Sequence, residues 1–160
     1  MRKLISKQFA LIAILILTLA PVSVFAQSVS CGDVISTNTT LTADLDCSAS
    51  GTALTIGQHG VILDGAGFTI TVNGTNTAIM VNGLSNVTVT NVTVDSSVPG
   101  QGTGLQIYNS GNSTITSNTF SGLTHAIRGG GVPNTSFIGN DLSNSSSHAI
   151  YFHQHASNQG

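Results

Sequence analysis

The sequence predicts an all-β protein, a β-solenoid of about five coils with three short strands in each coil. The main observation is a small residue followed by a branched aliphatic residue, a pair that recurs five times. The pairs recur at nearly constant intervals along the chain, a spacing typical of proteins built from stacked repeats. The five pairs are Ala53-Leu54, Ala78-Ile79, Gly104-Leu105, Ala126-Ile127 and Ala149-Ile150.

Alignment on these pairs predicts three strands in each coil. From each pair onward, apolar residues alternate with other residues at period two, as in a strand with one buried face. Equivalent strands of successive coils are expected to pair in parallel, about 4.8 Å apart. The first strands cover residues 54–56, 79–81, 105–107, 127–129 and 150–152; the second strands centre on residues 61–63, 87–89, 113–115 and 135–137, and the third on residues 68–70, 92–94, 120 and 142.

Asparagines recur at the predicted corners between strands. Asn86, Asn112 and Asn134 recur with the same period as the pairs, and Asn118 and Asn140 form a second column. Asn tolerates the left-handed backbone of a tight turn, and stacked amides can bond to one another along a ladder. We therefore predict a ladder of Asn86, Asn112 and Asn134, buried in amide bonding. All three also lie in Asn-x-Ser/Thr sequons, and burial would make them poor glycosylation acceptors.

The N-terminal segment, residues 1–26, has the pattern of a secretory signal peptide. A basic start with Arg2, Lys3 and Lys7 precedes an apolar run at residues 9–20, and residues 24–26 form a small-residue cleavage site. The apolar run is too short to span a bilayer, so we expect no membrane span after cleavage. The protein is therefore predicted to be secreted, periplasmic or displayed at the cell surface.

Removal of the signal peptide would leave an acidic chain. Arg128 is the only Lys or Arg after residue 26, and one positive charge against six Asp gives a net charge of −5. Nucleic acids, acidic lipids and polyanions are poor partners for such a chain, because phosphate binding needs clustered Lys and Arg.

The two cysteines and the repeats divide the mature chain. Cys31 and Cys47 are an even pair in an exported protein, which predicts a disulfide between them. Both precede the first repeat, so we predict a stapled N-terminal cap at residues 27–50 and solenoid repeats at residues 51–160. The chain stops partway through a coil without a visible polar cap, and we expect it to be C-terminally incomplete.

Several segments resemble a known family. Residues 63–70, Leu-Asp-Gly-Ala-Gly-Phe-Thr-Ile, are similar to a segment common in right-handed parallel β-helix proteins. Residues 31–35 and 40–47 resemble the opening of secreted members, whose paired cysteines flank the first coil. Residues 112–118 and 134–140 resemble pectate-lyase-like and NosD-like repeats. The resemblance implies a right-handed parallel β-helix, but it does not select a function, because this scaffold carries lyases, hydrolases, epimerases, adhesins and spacers.

Catalysis is one function that the resemblance leaves open. Family members that act on uronate polymers gather several Asp and a basic residue, or two or three carboxylates, on one face of the helix. Within the coils this chain has only Asp64, Asp95 and Asp141, which are dispersed, and Arg128 is the one candidate cationic base. We predict no catalytic residue. A polysaccharide lyase, hydrolase or epimerase, or the N-terminal part of one, stays as an alternative.

Two histidines raise the question of metal binding. His125 and His148 share one column, which Thr residues occupy in the earlier coils, so the two should stack on neighbouring coils. Imidazole suits copper and zinc, and the NosD-like resemblance implies a periplasmic copper-binding protein as a second alternative. A metal site needs three or four converging ligands. We therefore predict no cofactor and interpret both histidines as solvated polar residues.

Outward residues of the first strands form a predicted ligand face, made of Gln106, Tyr108, Arg128, Tyr151 and His153. Aromatic rings and planar polar groups on a flat sheet suit sugars, which offer apolar faces for stacking and hydroxyls for hydrogen bonding. The sequence therefore predicts an exported, non-catalytic β-helix module, a surface or extracellular scaffold that contacts a polysaccharide or a cell-surface glycan.

Overall fold

The computed structural model describes residues 28–153, a range that contains fifteen strands and no helix. The predicted signal peptide at residues 1–26 lies outside this range. No element of the described range is a helix long and apolar enough to cross a membrane. The strands are β1 (Asp33–Ile35), β2 (Thr39–Thr40), β3 (Leu45–Asp46), β4 (Thr52–Ile56), β5 (Ile62–Asp64), β6 (Thr69–Val72), β7 (Thr77–Asn82), β8 (Thr88–Thr90), β9 (Thr93–Ser96), β10 (Thr103–Tyr108), β11 (Thr114–Thr116), β12 (Thr119–Phe120), β13 (His125–Gly130), β14 (Ser136–Ile138) and β15 (His148–Phe152).

The strands form three parallel sheets, and the chain passes through the three sheets in turn. The first sheet has the order β1-β4-β7-β10-β13-β15, the second β14-β11-β8-β5-β2, and the third β12-β9-β6-β3. Along the first sheet Leu54 pairs with Ile79, Ile79 with Leu105, Leu105 with Ile127, and Ile127 with Ile150. This register is the one that the repeated pair predicts, and the β-solenoid of about five coils is confirmed.

The segment predicted as an N-terminal cap is the first coil of the solenoid. Its strands β1, β2 and β3 pair in parallel with β4, β5 and β6 of the next coil. The predicted disulfide is present and joins Cys31 to the buried Cys47. Closing a loop of this length stabilises a fold by about 3 kcal/mol, mainly by restricting the unfolded chain. The bridge therefore reinforces the first coil, whose strands lie at the ends of the three sheets within residues 28–153.

The core is a stack of aliphatic side chains inside the coils. Leu54, Ile79, Leu105 and Ile127 are 0% exposed, and each lies next to the aliphatic residue paired with it on a neighbouring coil. In the last described strand, Ile150 is 42% exposed. Each buried aliphatic side chain contributes roughly 1.5–3 kcal/mol relative to an exposed one. The stack thus accounts for the strong preference for branched aliphatic residues in these columns.

The small residue of the repeated pair has a packing role that is sharpest at Gly104. Other coils place Ala in this column, but a Cβ on Gly104 would overlap the ring of Phe120, which is fully buried, and the backbone oxygen of Ala126. The Phe120 ring fills part of the space that Ala would take. Glycine at position 104 is therefore required by two close neighbours, the Phe120 ring and the backbone of the next coil.

An amide pair, the buried Asn118 and the half-buried Asn140, ties three coils together. The Asn118 Nδ2 donates to the Asn140 Oδ1 at 3.0 Å and to the Val89 carbonyl at 3.0 Å, while its Oδ1 accepts from the Val92 backbone N–H at 3.0 Å. The Asn140 Nδ2 donates to the Ile115 carbonyl at 2.8 Å. Because Asn118 is 1% exposed, these bonds satisfy backbone groups that water cannot reach.

The predicted burial of Asn86, Asn112 and Asn134 is wrong, since all three are exposed. Their backbones have φ of 59°, 52° and 53°, the left-handed conformation expected of corner asparagines. At these corners the side chain projects outward. One amide–amide bond is present in this column, from the Asn134 Nδ2 to the Asn112 Oδ1 at 3.2 Å. The argument from burial against glycosylation of these three sequons therefore does not hold.

We predict that Gly104→Ala lowers the free energy of unfolding by about 1–3 kcal/mol, although it restores the residue found in the other coils. Urea unfolding followed by circular dichroism measures the change. Gly51→Ala is the matched control, because a Cβ there meets nothing within 4 Å, and its stability should stay within about 0.5 kcal/mol of the parent. The double variant with Phe120→Leu should regain part of the loss. Equal stability of Gly104→Ala and the parent chain contradicts this packing account.

We also predict that Asn118→Ala destabilises the fold by about 3 kcal/mol, because the Val92 N–H and the Val89 carbonyl lose their buried partner. Asn82→Ala provides the comparison, since Asn82 is exposed at the end of β7. The same unfolding measurement should separate the two variants clearly. Similar stabilities would show that the amide pair is dispensable.

Candidate functional site

The candidate site is the outer face of the first sheet. Side chains that alternate with the buried aliphatic residues form a row across this face, in which Met80 pairs with Gln106, Gln106 with Arg128, and Arg128 with Tyr151. Three members of the predicted ligand face are thus direct neighbours on successive coils. The register follows from the repeat, since each coil contributes one outward residue at this level.

Tyr108 lies apart from these neighbours. It pairs with Gly130, which has no side chain, and its ring has no aromatic partner among residues 28–153. The fifth predicted residue, His153, follows the end of β15 directly and lies beside Tyr151. The structure therefore brings four of the five predicted residues to one end of the face and leaves Tyr108 at its side.

Four rings form a continuous group at this end, here called the ring cluster: His125, His148, Tyr151 and His153. The imidazoles of His125 and His148 stack with centroids 5.6 Å apart and planes 2° from parallel. The Tyr151 ring lies 4.8 Å from His148 and 5.6 Å from His125. The His153 ring meets Tyr151 edge-on at 4.4 Å. The stacking predicted for His125 and His148 is present, and it joins the histidine column to the ligand face.

The stacked pair His125 and His148 does not make a complete metal site on its own, since zinc sites use three or four protein ligands. Within residues 28–153, no three His, Cys, Asp or Glu side chains are gathered in a way that could hold a metal. The geometry of the ring cluster is that of an aromatic surface.

The surroundings of His125 disfavour its protonation. Partial burial lowers the pKa of His125, and the nearby Arg128, His148 and His153 lower it further. His148 has a polar neighbour, since its Nδ1 lies 2.7 Å from the Ser147 hydroxyl. The neutral form of His125 is therefore favoured, and one permanent cation, Arg128, lies beside it.

Arg128 lines a shallow depression of about 180 Å³, here called the Arg128 depression. Loop residues of two earlier coils form one wall, and none of the lining residues is acidic. The Arg128 Nε is buried and has no hydrogen-bond partner among the described residues. The depression is lined by Gly74, Thr75, Gly102, Thr103, Gln106, Thr124, His125 and Arg128.

Sequence reasoning missed the hydroxyl-bearing part of this lining. Thr103 belongs to the column of Thr residues before His125, and the spacing alone indicates no more than an ordinary polar column. In the structure Thr103 pairs with His125 and is 6% exposed. Gly74 and Thr75 come from a corner two coils earlier, and no spacing in the sequence relates them to Arg128. The Thr column was the only available signal.

The carboxylates lie elsewhere and bind backbone N–H groups. Each of the six Asp in residues 28–153 accepts a hydrogen bond from a backbone N–H at 2.7–3.1 Å. The pairs of acceptor and donor are Asp33 and Ser30, Asp44 and Thr69, Asp46 and Ser48, Asp64 and Ala66, Asp95 and Ser96, and Asp141 and Ser143. Hydrogen bonds from Ser48 hold the pKa of Asp46 below its usual value, and those from Ser143 do the same for the pKa of Asp141. These acids have structural roles at turns and coil contacts.

A second, larger depression of about 410 Å³ lies at the corner between the second and third sheets. Asp64, Asn91, Thr93, Ser117 and Thr119 line it together with neighbouring backbone. The Asp64 carboxylate is engaged there by the Ala66 N–H and by the Asn91 amide at 3.2 Å. No aromatic ring lines this depression, so it offers less for recognition than the first sheet does, despite its size.

Comparison with known proteins gives one match. A family model described as "Right handed beta helix region" matches residues 77–159, slightly more than half of the chain. A search of curated proteins found no match, and a search of solved structures found none either.

The charge environment of His125 predicts that stability falls as the solution is acidified. Because the pKa of His125 is lower in the folded chain than in the unfolded one, the unfolded chain binds more protons below pH 6.5. The contribution of neutral His125 to the free energy of unfolding is full above pH 6.5, and it is lost as the pH falls below that value. Urea midpoints at pH 7.5 and 5.5 should show the loss.

His125→Thr, which introduces the residue of the preceding coil, should make this pH dependence smaller. Gln58→Asn is the control, because it changes an exposed side chain that does not titrate and lies outside the ring cluster. It should leave the difference between the two pH values unchanged. If His125→Thr and the parent chain lose the same stability between pH 7.5 and 5.5, the ring cluster is not the source of the effect.

Proposed function

The chain belongs to the right-handed β-helix family. We propose that it is an exported, non-catalytic scaffold module that binds carbohydrate through the outer face of its first sheet. The proposed partner is a polysaccharide or a cell-surface glycan. The disulfide supports this placement, since it indicates an oxidising compartment outside the cytoplasm. Secretion, the periplasm and the cell surface all satisfy that condition.

The ring cluster is the observation that carries the proposal. Tyr151 lies between the stacked pair of imidazoles and His153, which gives an aromatic surface several rings wide. Sugar rings have apolar faces of C–H groups that pack against aromatic rings. Arg128 and Gln106 follow Tyr151 in the same row and can donate hydrogen bonds to hydroxyl oxygens. The row therefore combines stacking with polar recognition on a rigid sheet.

Binding is better supported than catalysis because of how the carboxylates are used. General acid/base cleavage of a glycosidic bond requires two carboxyl groups that face the same sugar ring. Here each of the six described Asp side chains is bonded to a backbone N–H, and none lines the Arg128 depression. The carboxylates thus stabilise corners, and the face that carries the rings is left for recognition.

We predict that Tyr151→Ala weakens carbohydrate binding by about tenfold or more, because the central ring of the aromatic surface is removed. Polysaccharide pull-down and glycan arrays identify a ligand, and titration of that ligand measures the affinity. The chain has two Tyr and no Trp, so tyrosine fluorescence reports directly on the proposed face.

Two further variants make this test specific. Tyr151→Phe keeps the ring and should keep most of the affinity. Tyr108→Ala removes the other tyrosine, which contacts no ring of the cluster, and should change the affinity by less than about threefold. Retention of full affinity by Tyr151→Ala, or the absence of any carbohydrate ligand in the arrays, contradicts the proposal.

A further inference from the structure

Arg128 is an unusual residue for this surface. It is the only Lys or Arg in residues 28–153, and its Nε is buried without a hydrogen-bond partner among those residues. A buried donor that lacks a partner is costly, and more so when the group is charged. Such a cost is seldom kept without a function. The six carboxylates that could have paired with the guanidinium are bonded to backbone N–H groups elsewhere.

The surroundings of Arg128 offer donors and no competing negative charge. Gln106 contributes a side-chain amide, His125 an imidazole N–H, and Thr103 a hydroxyl, and all three line the same depression of about 180 Å³. Thr124 differs, since its hydroxyl already donates to the Gly100 carbonyl at 2.7 Å. The depression therefore presents hydrogen-bond donors from two neighbouring strands around one guanidinium.

We propose that the Arg128 depression is a binding site for a single small oxyanion, such as sulfate, phosphate or a carboxylate group. The guanidinium donates to two oxygens of the anion through its planar fork, and the amide of Gln106 and the imidazole of His125 donate either to the same two oxygens or, in sulfate and phosphate, to the remaining ones. One cation in an acidic chain suits one such group and not a polyanion. The anion site shares Gln106 and Arg128 with the proposed carbohydrate row, but it requires no carbohydrate to be bound.

The site is coupled to the ring cluster through His125. The strand beside His125 on one side contributes Thr103, and the strand on the other side contributes His148 and Tyr151. Arg128 on its own strand and the nearby His153 are the remaining titratable groups that act on it. No carboxylate is among these neighbours. An anion in the depression therefore stabilises protonated His125, and acidification strengthens the binding of the anion.

The test is a titration of the folded chain with sodium sulfate and, separately, sodium acetate, at constant ionic strength maintained with sodium chloride. Proton NMR follows the imidazole C2–H signals. We expect saturable shifts of the His125 signal and a rise in its apparent pKa, with no change at His59, the internal control at another corner. Sulfate represents a free inorganic anion, and acetate represents a carboxylate carried by a larger molecule. The anion that binds more tightly therefore indicates which of these two kinds of ligand the site takes. Shifts that do not saturate, or that equal those in chloride alone, overturn the proposal.

Substitutions of Arg128 provide the decisive comparison. Arg128→Gln should weaken sulfate binding by about tenfold or more, and Arg128→Lys should retain part of it, because it keeps the charge and loses the fork. Thr55→Val, in the same outer row on a distant coil, is the control. Circular dichroism verifies that each variant is folded. If Arg128→Gln does not fold, the titration of the parent chain still tests the proposal. Unchanged sulfate affinity in folded Arg128→Gln overturns the proposal.

This outcome is separable from that of the carbohydrate experiment. Tyr151→Ala should keep its sulfate affinity and lose affinity for a neutral saccharide, because Tyr151 does not line the Arg128 depression. Loss of sulfate binding in folded Tyr151→Ala would contradict the assignment of the anion to this depression.

Discussion

The structure depends on the in-register, parallel hydrogen bonding of one coil onto the next. Because Leu54, Ile79, Leu105, Ile127 and Ile150 pair in sequence, every residue of these strands lies over its equivalent in the preceding coil. The core, the corner asparagines and the outer rows all inherit this alignment. A side chain that fits one coil must also fit its neighbours. A Cβ on Gly104 would overlap the Ala126 backbone of the next coil, and His125 stacks on His148 of the coil after it.

The same alignment explains how much the sequence could predict. Spacing alone located the strands, the disulfide-bearing segment and the outward residues of the first sheet, because a residue's column follows from its number. It could not tell the Asn86 column from the Asn118 column, since both recur at corners. Only the backbone geometry shows that the first column projects outward while Asn118 is 1% exposed and bonds to the neighbouring coils. Spacing also could not join the histidines to Tyr151, because ring contacts between columns depend on side-chain conformation.

The solenoid separates stability from recognition. The aliphatic stack and the buried amides lie inside the coils, and the carboxylates cap backbone groups through local hydrogen bonds. The outer face of the first sheet is left with rings, amides and one guanidinium. Substitutions on this face change what the protein contacts without disturbing the coils beneath, since alternate residues of each strand point in opposite directions. A scaffold of this kind supports many ligands on one core.

The Arg128 depression shows a further consequence of unequal coils. Thr77, Thr103 and His125 are equivalent on the first sheet, and they follow the equivalent residues Thr69, Thr93 and Thr119 of the third sheet at unequal distances along the chain. The depression lies beside the shortest of these corners, which leads to His125, with the longer corners forming its wall. Insertions and deletions at this edge leave the strand register intact. Evolution can therefore deepen or fill the recess by changing the length of a corner, without replacing any residue that contacts the ligand.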